Sequence, residues 1–439
     1  MKIANVVLNM VLLGGGLFPT VALSNSSLNQ ESDAMQITTH LKHLTGIACD
    51  STGQSCISIG IEPNATGENH LAYKTINGGI SWNSGVILTH PENEDDIDSL
   101  ESIGKFTTIR CDSSTQNCLI AGTTRVSGQN VIYTYTSQDG GQTWSLPQTI
   151  SFGDQGSQAS LLDEFPFLRL NCDAHMQSCI LATNLIIGNK SNPILFTSQN
   201  GGENWSSGTL LSLPSDASHG VIFSDLACDQ SGLFCTAITQ HTAYNGFEED
   251  KLFIPNHSAY VYSTHDGGIT WSDAKPLMLT QENNQSAIPS RHDVPTLLSC
   301  DQSGLSCIAL GLYYDLQQSD NTTTLISNNS HVYLTKNGGL NWTDSSEILA
   351  NDPKLSPIFT ALHCDITNRF CAAVGIEIDE EHDDEFKPII YTSIDSGHSW
   401  MRKTFTPPDN KISMLLDIFC SEDAALCHAV GLSLTNPKG

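Results

Sequence analysis

Every tryptophan in this 439-residue chain lies in one short motif, Ser/Thr-x-Asp/Asn-x-Gly-x-x-Trp. The copies end at Trp82, Trp144, Trp205, Trp271, Trp342 and Trp400, and their Asp/Asn positions are Asn77, Asp139, Asn200, Asp266, Asn337 and Asp395. A motif that consumes a whole residue type marks a repeat, and a repeat sets the architecture before any other feature. The fourteen cysteines repeat in step. They form seven C-x6-C pairs: Cys49/Cys56, Cys111/Cys118, Cys172/Cys179, Cys228/Cys235, Cys300/Cys307, Cys364/Cys371 and Cys420/Cys427. The first six pairs are each followed by a Trp motif, so there are seven units and the last lacks its motif.

One unit reads as four short antiparallel strands. A strand-like run leads into each first cysteine, and an apolar run with small residues follows each second one, as in Cys307-Ile308-Ala309-Leu310-Gly311. Turn formers separate them, with Asp after the first cysteine in six of seven units. Such an Asp bonds backbone N–H groups two residues on. Each pair is therefore expected to close a hairpin disulfide, for about 2.5 kcal/mol on a loop-entropy estimate. A third strand precedes the Trp motif, as in Val131-Ile132-Tyr133-Thr134, and a fourth is expected to begin at each Trp. The motif between them is a tight turn, in which Asn/Asp-Gly supplies positive φ.

The motif resembles the Asp-box, or BNR, repeat of sialidases, sortilin-type receptors, photosystem assembly factors and some glycoside hydrolases. The resemblance implies a β-propeller with an Asp-box between the third and fourth strands of a blade. Asn at 77, 200 and 337, and Ser396 in place of Gly, depart from the pattern. Seven units then imply an all-β, seven-bladed propeller of four-stranded antiparallel blades over residues 35–439. The segment Met35–His40 is expected to complete the last blade.

Residues 1–24 read as a secretory signal peptide, with Lys2, an apolar run to about Val21 and the small-residue sequence Ala22-Leu23-Ser24. Residues 25–34 read as a linker. No other segment has the ~20 apolar residues of a spanning helix. A secreted or periplasmic location fits the even cysteine count, and the C-x6-C spacing fits zinc poorly. With 19 Lys+Arg against 47 Asp+Glu, the net charge of −28 disfavours nucleic acid or anionic lipid.

The cysteine turns and Asp-boxes should share one uniform face, leaving longer connections on the other. Inserts at about 239–259, 313–330 and 376–388 mark that second face as the place for recognition. Its acids cluster at Glu92–Glu101, Glu248–Asp250 and Glu377–Glu385. Carboxylate clusters hold calcium in other proteins, but none here has a calcium-loop spacing, so no cofactor or metal site is assigned. N-x-S/T sites occur at Asn64, Asn256 and Asn321.

A sialidase should clamp its substrate carboxylate with three arginines from separate blades, and use a Tyr/Glu pair. This chain has six arginines, Arg110, Arg125, Arg169, Arg291, Arg369 and Arg402, with no Arg-x-Pro motif. Arg369 lies inside a cysteine hairpin, on the wrong face. A neutral-glycan hydrolase needs two opposed carboxylates, and no pair is singled out, so catalytic residues stay unassigned. The reading is an exported, monomeric, non-enzymatic propeller that binds a protein or glycan ligand; a glycoside hydrolase is the alternative.

Overall fold

The computed structural model describes residues 21–24, 43–64, 67–89, 105–126, 129–150, 152, 159–161, 168–188, 190–215, 217, 220–241, 259–277, 279–280, 291–319, 322–348, 355–379, 386–403, 414–422 and 426–432. Six units form antiparallel blades of four consecutive strands, and two of these sheets gain a short fifth strand: Ala159–Leu161, antiparallel to Cys179–Ile187, and Leu279–Thr280, parallel to Trp342–Ile348. Blade 1 runs His43–Cys49, Cys56–Asn64, Gly67–Thr75 and Val86–Ile87. Blade 2 begins at Lys105–Cys111, blade 3 at Arg169–Cys172, blade 4 at Val221–Cys228, blade 5 at Arg291–Cys300 and blade 6 at Leu355–Cys364. First strands of neighbouring sheets touch all the way round, so they line a common axis.

The seventh unit departs from the expected four strands. Among the described residues its sheet has three: Met414–Cys420, Leu426–Leu432 and, antiparallel to the latter, Val21–Ser24. Among the described residues, then, six blades are complete, not seven. The added strand comes from the end of the expected leader, not from Met35–His40, which lies outside the described residues. This sheet packs between blades 6 and 1. Phe370, Val374 and Leu415 share one apolar cluster, and Leu44, Ile47 and Val430 share another. Each of the seven seams between sheets holds one such cluster, which contains the aliphatic side chains of both facing sheets.

All seven cysteine pairs are bonded as hairpins: Cys49–Cys56, Cys111–Cys118, Cys172–Cys179, Cys228–Cys235, Cys300–Cys307, Cys364–Cys371 and Cys420–Cys427. No described cysteine is free. In every hairpin the two bonded residues face each other as the last rung between first and second strands. The turns reach solvent, but the second cysteine of a pair does not. Cys56, Cys118, Cys179, Cys235, Cys307 and Cys371 are buried, each within a different seam cluster, while Cys427 is half-buried.

Within each of the first six hairpins the residue after the first cysteine is Asp, and its carboxylate accepts turn N–H groups. Asp112, for example, takes those of Ser114 and Gln116 on Oδ1 and that of Asn117 on Oδ2. Each Asp-box then leans on the cysteine turn of its own blade. Gly78, Gly140, Gly201, Gly267, Gly338 and Ser396 donate their N–H to the carbonyls of Gln54, Gln116, Gln177, Leu233, Leu305 and Arg369. The two kinds of turn therefore form one face.

Fourth strands begin at the Trp only in blade 5, with Trp342–Ile348. In blades 1 to 4 they start later, because the residue after the Trp takes over one rung of the ladder. Asn83, Ser145, Ser206 and Ser272 accept from Lys74, Thr136, Thr197 and Ser263 N–H through their side-chain oxygens. The expected insert at 313–330 is also not a loop: the second and third strands of blade 5 continue through it, Cys307–Ser319 and Thr322–Thr335.

Candidate functional site

The Asp-box residues are fully engaged in their turns. Asp139 Oδ1 accepts the N–H of Gln142 and Thr143, and Oδ2 accepts the Thr143 hydroxyl at 2.6 Å. Asp266 with Thr270, and Asp395 with Ser399, repeat this arrangement. Where the box has Asn, the residue four on is Ser81, Asn204 or Asn341. Asn77 donates through Nδ2 to Ser81, and Asn200 and Asn337 accept the N–H of Asn204 and Asn341. The Thr143 bonds lead in lowering the Asp139 carboxyl below the usual carboxylate range. For Asp112, Asp266 and Asp395 burial is the largest single effect and acts upward, but the summed hydrogen bonds outweigh it and the carboxyls are lowered.

Each Trp enters the seam between its own blade and the preceding sheet. Trp82, Trp144, Trp205, Trp271, Trp342 and Trp400 each pack on a different one of six seam clusters. The indole N–H of Trp271, Trp342 and Trp400 donates to the carbonyl of Gly268, Gly339 and Gly397 in its own turn.

The cysteines are core residues and not part of a site. Cys118, Cys179, Cys235 and Cys371 are at most 3% exposed, and so are Cys56 and Cys307. Each opens a second strand whose alternate side chains fill a seam, so its sulfur follows them inward and meets no solvent. Cys49, Cys56 and His428 lie close together, but both sulfurs are in the disulfide and have no thiolate to offer a metal.

The axis is where charge gathers. Arg169, Asp225 and Asp417 each stand three residues before the first cysteine of their unit, and Arg110 and His363 stand one before. In blade 4 and in the seventh sheet a β-bulge immediately precedes the Asp. Asp225 accepts Leu226 N–H on Oδ1 and, across the seam, Leu298 N–H of blade 5 on Oδ2, at 2.9 and 2.8 Å. Arg169 Nε reaches Oδ1 of the same carboxylate at 3.1 Å. Asp417 repeats the pattern at the seam between the seventh sheet and blade 1, taking Ile418 N–H and, from blade 1, Ile47 N–H. His363 Nε2 bonds the Cys420 carbonyl of the seventh sheet at 3.1 Å, and its ring lies 4.6 Å from that of Phe419. The exposed Arg110 donates through Nη1 to the Ile109 carbonyl beside it.

Burial pushes both axial carboxyls above the usual range, opposed chiefly by Arg169 at Asp225 and by Arg110 at Asp417. Burial, with Arg110 adding to it, brings His363 down to about 4. The field of Arg110 thus acts on groups of three other sheets. Aligning the units on their cysteines would have put Arg169, Asp225 and Asp417 in one column; reading each unit for strands alone hid them.

A second polar group sits inside blade 6. Glu377 is fully buried and accepts from Arg402 Nη2 at 2.5 Å and from the Tyr391 hydroxyl at 3.4 Å. Burial and Glu377 raise that phenol to about 12. The three come from the second, third and fourth strands of one blade, so this is a brace within a sheet. The acidic segments 92–101, 248–250 and 380–385, and Asn256 and Asn321, lie outside the described residues.

A family model described as BNR/Asp-box repeat matches residues 135–146. No significantly similar curated protein was found. Among solved structures, a polysaccharide lyase titled as an ulvan lyase of a new family superposes with a TM-score of 0.50 at 10% identity, covering 96% of each chain. An α-L-arabinanase of Penicillium chrysogenum gives 0.42 at 11% identity, over 82% of this chain and 94% of that one. NanB sialidase of Streptococcus pneumoniae gives 0.43 at 9%, over 88% and 71%. At these identities the likeness is one of fold: the chain is a β-propeller, with a matched Asp-box repeat at residues 135–146. No helix among the described residues is long and apolar enough to cross a membrane.

Proposed function

We propose that this Asp-box propeller is an exported, non-enzymatic recognition module, with a glycan or protein ligand on the loop face. The observation that carries the reading is how the ring uses its gathered carboxylates. Asp225 and Asp417 each give both oxygens to main-chain N–H groups, and Asp225 also holds Arg169. Glu377 is buried under Arg402 and Tyr391. Glycoside hydrolysis requires a proton-donating acid opposed to a second carboxylate across the scissile bond. Groups fixed as inter-blade ties are poorly placed for either role. Seven disulfides suit an oxidising compartment, and residues 1–24 fit a leader. The seventh sheet, whose strands Met414–Cys420 and Leu426–Leu432 pack on blades 6 and 1, supports a ring of seven units.

The second reading is a glycan-active enzyme using loop carboxylates. It is favoured by the ulvan lyase that spans the same length with a TM-score of 0.50. One experiment separates the two. The secreted protein is screened on a glycan array and incubated with the same glycans and with acidic polysaccharides. Retention without product supports the module. Turnover that a single substitution such as Glu249→Gln abolishes overturns it. Calcium titration by calorimetry, with Asp379→Asn as control, tests the acidic loops as a cation site. Sequencing the N-terminus of the exported protein tests the leader; a chain that retains Val21–Ser24 contradicts cleavage after Ser24.

A further inference from the structure

Blade 5 rises above the face opposite the turns. In the other five blades the second and third strands run for 9 residues or fewer. In blade 5 they run for 13 and 14. The extra four or five residues reach roughly 13–17 Å further. Their neighbours do not follow them to the end. The first strand accompanies them only to Arg291, opposite Asp315, and among the described residues the fourth strand stops at Ile348, opposite Ser330. The tip is therefore a tongue of two strands, 316–319 against 322–325.

Two strands alone are marginal in water, and a third is what makes such a sheet hold. Both edges of the tongue are open among the described residues, so each presents main-chain N–H and C=O groups that the sheet does not use. Other outer edges of the ring are short or covered. The fourth strands of blades 1, 2, 3, 4 and 6 have two or three residues. The seven-residue fourth strand of blade 5 has Leu279–Thr280 laid along its start. Long edges are commonly guarded by lysine or proline. Here residues 316–319 are Leu-Gln-Gln-Ser and residues 322–329 are Thr-Thr-Thr-Leu-Ile-Ser-Asn-Asn, with no charge and no proline. One bulge, at Ile326, divides the outer edge into 322–325 and 327–329.

We infer that the tongue is a docking edge for an extended segment of a partner protein, which adds to it as a third strand; this rests on the recognition role proposed for the loop face and names its ligand as a polypeptide. Main-chain chemistry selects that occupant. An open strand edge repeats its donors and acceptors at the spacing of another polypeptide backbone, which a sugar or a lipid does not share. Charge narrows it further. At a net −28, a second copy or another acidic protein meets repulsion as it approaches. The segment that docks is thus neutral or basic.

Fluorescence anisotropy of the intact protein with labelled peptides is the test. The probe is the strand-forming peptide KTVTVTVK, and its control is the same peptide N-methylated at every Thr and Val, which can pair along neither edge. The expected result is saturable binding of the probe that falls by about tenfold or more with the methylated control. A protein whose residues 316–326 are replaced by Asn-Gly, a two-residue turn between Asp315 and Ser327, should lose the probe to the same degree. Near-ultraviolet circular dichroism checks that this variant keeps its fold, and the methylated control does not depend on it. Equal binding of both peptides overturns the inference, as does equal binding by the shortened protein. Self-association in sedimentation velocity that the shortening abolishes would assign the edge to a second copy, and overturns it too. Retention of a glycan with no binding of the probe brings down the tongue's role alone; retention of neither brings down the recognition role with it.

Discussion

Aspartates serve this ring in two places, and the same side chain behaves oppositely in each. On the turn face, Asp139, Asp266 and Asp395 satisfy N–H and hydroxyl donors within their own turn, and their carboxyls lie below the usual range. At the axis, Asp225 and Asp417 tie one sheet to the next, and burial holds their carboxyls above it. A carboxylate at a surface turn keeps its water and gains donors. At the axis it gains donors and loses its water, and desolvation wins. A charge that orders its own turn is therefore easily accommodated, whereas one that closes a seam between sheets opposes part of what it stabilises.

The largest test deletes the axial ties. Asp417→Ala leaves the Ile47 and Ile418 N–H groups without their acceptor, and should lower stability by about 2–4 kcal/mol. Asp139→Ala removes a turn cap and should cost about 1 kcal/mol. Chemical denaturation of both variants measures the gap, and equal losses would erase the distinction between axis and turn.

Acid titration gives the next largest effect. A lowered carboxyl contributes stability that is present above its unfolded pKa and lost as pH falls through the folded value. The turn aspartates should therefore fail in strong acid, below the ordinary 3.8. A raised carboxyl has the reverse sign. Its contribution is complete below 3.8 and declines as pH rises through the folded value, so Asp225 and Asp417 favour mildly acidic conditions. His363, lowered from 6.5 to about 4, contributes above 6.5 and loses that contribution as pH falls through about 4. Melting temperatures from pH 3 to 8 should show the acid-favouring slope diminished in the double variant Asp225→Asn/Asp417→Asn and retained in Asp139→Asn.

The smallest effect lies in the odd Asp-box. Ser396 has φ of 60° where the other boxes have glycine. Ser396→Gly should stabilise by up to about 1 kcal/mol, the strain relieved less the added freedom of the unfolded glycine. Thermal melting checks the sign.

Repetition explains what could be read without coordinates. Trp and Cys recur in step, so the antiparallel unit, its hairpin disulfides and the turn that joins its last two strands were legible from Trp82 to Cys427. Three kinds of feature were not. Bonds between units leave no trace inside a unit, so the tie from Asp417 to Ile47, 370 residues apart, could be found only by stacking units in register. The final sheet has no Trp motif to guide it, and position just ahead of unit one favoured Met35–His40 where Val21–Ser24 pairs. Spacing alone pairs Cys118 with Cys111 but does not say that its sulfur points into a seam, since that depends on which face of the strand a neighbouring sheet covers. The uniform lengths of the turns also concealed how differently their tips are dressed.

The tips of successive cysteine hairpins are joined by main-chain hydrogen bonds: Glu422 N–H to Ser51, Ser51 to Ser113, Ala174 to Gln230, Gln230 to Gln302, and Gln302 to Ile366. Because peptide groups form these five links, the residues that contribute them range from Ser to Glu to Ile without loosening them. Mutation can therefore repaint that rim one blade at a time while the links hold, which leaves a rigid wheel open to acquiring, losing or trading partners on its evenly shaped side.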